Sequence, residues 1–117
     1  MSRSTTVSIT TDAGAVVCPR CEPARNPLRR MKGLLGRRAL AEDEGLLLEP
    51  ASAVHTWFMR FSIDLAFLDR ELQVVRIAHE VRPWRFAYAR RSRYVLELPA
   101  GAAARRGLQT GDRLVIS

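Results

Sequence analysis

Apolar positions in this chain come in short runs broken by glycine, proline and acidic turns, a pattern that predicts many short strands rather than long helices. The first is a weak strand at Val7 to Ile9. A turn at Asp12-Ala13-Gly14 and a strand at Ala15 to Val17 follow. Between Cys18 and Pro27 three prolines forbid regular helix, and the stretch reads as an irregular connector. Asn26 then serves as an N-cap with Pro27 at the first helical position. The spacing of Leu28, Met31, Leu34 and Leu35 gives one apolar stripe, so a short helix is expected up to Gly36.

Farther on, an acidic turn at 39–45 leads to a strand at Leu46 to Leu48, stopped by Glu49-Pro50. Val54 to Leu68 reads as one long, mostly buried strand with a bend near Ser62. Asp69-Arg70-Glu71 turns it back into a strand at Leu72 to Ala78. Pro83 interrupts the next stretch, Tyr94 to Leu98 resumes a strand, and 100–107 holds a helical turn or two. A turn at Thr110-Gly111 launches the last strand, Asp112 to Ile116. The fold class expected is mainly β, a compact sandwich or barrel-like domain of short strands with one or two short helices. Residues 1–14 are taken as an N-terminal tail with its weak strand, and 15–117 as a single domain.

Composition adds three constraints. At 117 residues and 47% apolar content, one core is expected and a second is not. No apolar run approaches the roughly 18 residues of a membrane span, and the start lacks a basic region leading into a long apolar block, so a cytoplasmic protein is expected. The basic groups are eighteen arginines and one lysine, for a formal charge of +7. Residues 82–93 carry five positive charges and no negative one. Such a balance points to nucleic acid or an acidic ligand as partner.

Candidate chemistry concentrates between His55 and Asp69, where His55, Arg60 and Asp64 sit among large apolar side chains. Buried polar groups need partners. Strict alternation puts His55, Trp57, Met59 and Phe61 on one side, and a buried ion pair between Arg60 and Asp64 is expected. A pocket bordered by His55, Trp57, Arg60 and Asp64 would take a small polar or anionic ligand. For catalysis the set is thin, with no serine or cysteine placed beside the histidine, and an enzyme is not the favoured reading.

Two further groupings offer alternatives. Cys18-Pro-Arg-Cys21 has the spacing of a thiol pair that cycles to a disulfide or donates two thiolates to zinc, the one cofactor considered. Against both, no second pair of cysteines is present, and helix is expected only near Pro27. Trp84, Phe86 and Tyr88 alternate with Arg85, Ala87 and Ala89 and are followed by Arg90, Arg91 and Arg93. Rings interleaved with arginines suit a nucleic-acid-binding module using 82–93.

Four stretches, RRMKGLLGR (29–37), HTWFMRFSIDLAFLD (55–69), YVLELPAG (94–101) and GLQTGDRLVIS (107–117), together resemble the DUF192 (COG1430) family of small bacterial and archaeal proteins, whose function is not established. The resemblance spans about residues 15–117 and implies a single, mostly β domain. In the family's central motif Arg60 takes a position where lysine is common, Phe61-Ser62 replaces an asparagine-threonine pair, and Asp64 matches the family aspartate. The resemblance implies no reaction, cofactor or partner.

Overall fold

A computed structural model describes residues 6–24 and 39–117. The helix expected at 27–36 lies outside these residues. Among the described residues nine strands and one helix appear, in the order β1 (Val7–Thr11), β2 (Val16–Ala24), β3 (Glu44–Leu48), β4 (Ala53–His55), β5 (Ile63–Leu68), β6 (Val74–Val81), β7 (Phe86–Tyr88), β8 (Tyr94–Pro99), α1 (Ala102–Arg105) and β9 (Leu114–Ile116). The fold is mainly β, as the run lengths require.

Seven strands form one sheet in the order β6-β5-β8-β3-β2-β1-β9, and β4 pairs with β7 in a separate ribbon. Neighbours in the large sheet are antiparallel except β2 and β3, which run parallel with Cys21 opposite Gly45. The sheet curls until its two edges touch through one bridge, Gln73 to Arg113, but it is not a closed barrel. The weak first strand is an interior member of this sheet, paired on one side with β2 and on the other with β9, where Ile9 faces Ile116.

Curling creates two apolar layers. The inner one draws on both edges of the sheet and includes Ile9, Val17, Leu47, Leu68, Val74, Leu96, Leu98 and Leu114, with Ala102 and Ala103 of α1. The outer one joins Leu46, Leu48, Ile63, Leu65, Phe67 and Val95 to Val54 and Ala87, so the β4–β7 ribbon covers the outer face of β3, β8 and β5. This explains why β5 and β8 are apolar at almost every position: each has a layer on both sides. Each fully buried large side chain contributes roughly 1.5–3 kcal/mol.

Two expectations change. The connector after Cys18 is strand as far as Ala24. Proline excludes helix but not this strand: the register with β1 shifts between Val7 and Ile9, opposite Pro19 and Arg20, and Pro23 lies past the last β1–β2 pair, Val7 with Cys21. Arg20 N–H donates instead to the carbonyl of Asp43, just ahead of β3, at 2.9 Å. Second, the long strand from Val54 to Leu68 is two strands in two different sheets, with 56–62 as turns between them. No helix among the described residues is long and apolar enough to cross a membrane.

Candidate functional site

The break between β4 and β5 is set by Thr56, which is completely buried. Its hydroxyl donates to the carbonyl of Arg82 at 2.6 Å and accepts the backbone N–H of Arg85 at 2.9 Å. Its own N–H donates to the Arg85 carbonyl at 2.8 Å, while its carbonyl accepts from Trp84 at 3.1 Å and Met59 at 3.2 Å. One side chain thus joins two loops, 56–62 and 82–85. Met59 is drawn into the outer apolar layer, and Phe58 and Trp84 are turned out with φ of 68° and 65°. Left-handed backbone at a bulky residue costs on the order of 1–3 kcal/mol and persists only where surrounding contacts impose it. The two rings meet edge to face, centroids 4.7 Å apart.

Beside these loops the ribbon alternates. Val54 and Ala87 point inward, while His55, Phe86 and Tyr88 point outward. His55 lies against Trp57 at 5.1 Å and Phe86 against Tyr88 at 6.0 Å, with His55 directly opposite Phe86 in the register. Trp57, Phe58, Trp84, Phe86 and Tyr88 are between 49% and 65% exposed, an unusual concentration of solvated aromatic surface. Arg60, Arg82, Arg85, Arg90 and Arg91, from the same two loops and the turn after β7, are exposed as well. Arg76 and Arg93 are committed elsewhere: Arg76 donates to the Tyr88 carbonyl and lies over Phe67, and Arg93 pairs with Glu49 at 3.8 Å. A small open pocket of about 110 Å³, lined by Thr6, Arg20, Glu22, Leu40, Glu44, Gly45 and Leu46, shares no residue with the aromatic face.

Of the four residues expected to border one pocket, His55, Trp57 and Arg60 are at the surface and Asp64 is not. Asp64 is fully buried on the inner side of β5. Its carboxylate accepts three backbone N–H groups, from Glu80 at 2.7 Å, Gly101 at 3.0 Å and Ala103 at 2.9 Å. The expected ion pair with Arg60 is replaced by these amides. The register of β5 against β6 shifts between Ile63 and Leu65, and Glu80 there has φ of 46°, which turns its N–H toward the carboxylate. The other two donors open α1, so Asp64 caps a helix from a distant strand.

Cys18 and Cys21 are both buried free thiols. Three residues apart, they would fall on opposite faces of a regular strand, but the bulge at Pro19 and Arg20 brings both to the inner layer. The hydrogen bond from Cys21 holds the Cys18 thiol below its ordinary range against the opposing effect of burial. That same bond, together with burial, pushes Cys21 far up. Among the described residues no group of three or more potential metal donors gathers, at these cysteines or elsewhere.

Sequence reasoning missed Thr56 and Phe58. Pro83 marks an interruption at 82–85, but Trp84 takes a positive φ where a type II turn ordinarily has glycine, so the residue type gives no sign of it. Nothing local marks Thr56, whose partners lie 26 and 29 residues away.

Comparison with known proteins places these features in context. The model of the DUF192 family, described as Uncharacterized ACR, COG1430, matches residues 7–116. A UPF0127 protein of Pyrococcus furiosus is 38% identical over 95 residues, covering 78% of this chain and 81% of that protein. Three further archaeal UPF0127 proteins align over 64 residues, which span 41% to 55% of their lengths. Among solved structures, a protein of unknown function from Novosphingobium aromaticivorans superposes with a TM-score of 0.79 at 28% identity, over 95% of this chain and 84% of the other. A Sinorhizobium meliloti protein whose name proposes a transcription regulator superposes at 0.81 and 26% identity, over 98% of both chains.

Proposed function

The chain belongs to the DUF192 family, whose description carries no activity, so its function has to be read from its own surface, and we propose that it is a nucleic-acid-binding domain. The observation that supports this reading is the joining of exposed rings and exposed arginines on one ribbon and its loops: His55, Trp57, Phe58, Trp84, Phe86 and Tyr88 with Arg60, Arg82 and Arg85. Arginines neutralise phosphates, and aromatic rings stack on bases. The absence of any acidic residue between 82 and 93 leaves that charge uncompensated within the segment. The name of the Sinorhizobium meliloti neighbour agrees in kind. A cytoplasmic, non-enzymatic role goes with this reading.

Labelled DNA and RNA oligomers titrated with the protein test it. Binding is expected at about 50 mM salt and should fall by orders of magnitude by about 200 mM, as counterion release requires. Failure to retain either polymer at the lower salt overturns the proposal. A second reading keeps part of the same surface: His55 stacked on Trp57, with Arg60 exposed in the adjoining turn, would hold a small anionic ligand. It predicts that a mononucleotide alone saturates the site, and that Arg60→Met abolishes this while leaving the protein folded. Asp64 takes no part in either reading, since its oxygens are occupied by backbone amides.

A further inference from the structure

We infer that the aromatic face takes unpaired nucleic acid, with bases stacked on Trp57 and Trp84, in preference to a duplex; the inference rests on the nucleic-acid reading above. A duplex presents phosphates and groove edges, and its bases already stack on one another. Exposed arginines would suffice to bind it. Outward rings add nothing there, whereas an unpaired base offers a free π-face to each of them.

The arrangement of the rings carries the argument further. Tyr88 lies against Phe86, Phe86 is paired across the ribbon with His55, and His55 lies against Trp57, so two ring pairs adjoin on the outer face of the ribbon, one from each strand. Their centroid spacings of 6.0 Å and 5.1 Å are wider than the about 3.4 Å between successive stacked bases of a strand in B-form DNA. Bases seated on the two rings of a pair are therefore drawn out of helical stacking, which only an unpaired strand tolerates. The second ring pair, Phe58 and Trp84, projects from the two loops at the end of the ribbon and is held there before any ligand arrives by the Thr56 hydrogen bonds. Preformed rings save the ordering cost of binding.

The chain contains two tryptophans, and both are in this face, so intrinsic fluorescence reports on it directly. The full chain is titrated at low salt with a single-stranded oligomer of roughly a dozen nucleotides, with the same sequence as a duplex, and with vesicles of mixed zwitterionic and anionic lipid. Quenching by the single strand is expected, with affinity for the duplex at least about tenfold weaker. Trp57→Leu and Trp84→Leu should each weaken single-strand binding about tenfold; urea unfolding of the same variants shows that they are folded. Equal affinity for duplex and single strand, or binding without quenching, overturns the inference and leaves the nucleic-acid reading standing. Binding to vesicles but to neither nucleic acid overturns both.

Discussion

Thr56 Oγ1 accepts the Arg85 backbone N–H at 2.9 Å, and through that contact two loops remote in sequence become one surface. The same oxygen donates to the Arg82 carbonyl, so its removal strands a donor and an acceptor together. Thr56→Val should therefore cost about 1–3 kcal/mol in urea unfolding, while Thr56→Ser, which keeps the hydroxyl, should lose about 1 kcal/mol or less. The valine variant should also shift the tryptophan emission, because Trp84 loses the frame that turns it outward.

Asp64 and Arg60 are predicted to behave in opposite ways. Asp64→Ala leaves three amide donors without their acceptor and should destabilise the fold by about 3–5 kcal/mol, with faster hydrogen exchange at Gly101 and Ala103. Arg60→Met, at an exposed turn, should change stability by no more than about 0.5 kcal/mol. Denaturation midpoints of the two variants decide the matter: comparable losses would restore the buried pair expected from the sequence.

Gly45 is needed for space rather than for backbone freedom. A Cβ there would stand 2.6 Å from Cys18 Sγ and 2.8 Å from the Glu97 carbonyl oxygen. The second of these is backbone of the neighbouring strand and has little room to move. Gly45→Ala should destabilise by about 1–3 kcal/mol, read from thermal or urea unfolding.

The thiol pair gives stability a pH dependence of definite sign. Cys18, held below its ordinary value of 9.0, is deprotonated in the native state before it is in the unfolded chain, so its contribution grows as pH rises toward 9.0 and is then complete. Cys21, held above 9.0, keeps its proton in the native state while the unfolded chain loses it. Above about pH 9 stability should therefore fall by as much as about 1.4 kcal/mol per pH unit. Cys21→Ser, which cannot titrate there, should flatten this alkaline loss; urea midpoints at pH 8 and 10 compare the two proteins.

Local chemistry was legible in the sequence where it decides the structure. Asp69 accepts from the N–H groups of Glu71 and Gln73, which is the turn its residue type favours, and the β5–β6 hairpin follows from it. The mainly β character and the strand at Tyr94 follow equally from run length. Long-range choices were not legible. The parallel pairing of β2 with β3 depends on partners outside the local window, and proline in a bulged strand looks the same as proline in a loop. The site was half visible: His55, Trp57 and Arg60 are at the surface, but exposed Phe58 and Trp84 have the composition of a core, and only the Thr56 contacts turn them outward. Asp64 was singled out for the right reason, as a buried charge needing partners, but the partners are backbone and carry no sequence signal.

The pairing of β1 with β9 has a consequence for biosynthesis. β1 is made before the other described strands, yet one of its two hydrogen-bonding neighbours is β9, the last of them, with Thr11 opposite Leu114. Until translation reaches Leu114, the nascent chain carries an open strand edge beside Ile9 and an inner layer missing one wall. Folding of this sheet is thus completed only once Leu114–Ile116 is available, and chains cut short before Leu114 expose an edge on which other copies can add strands.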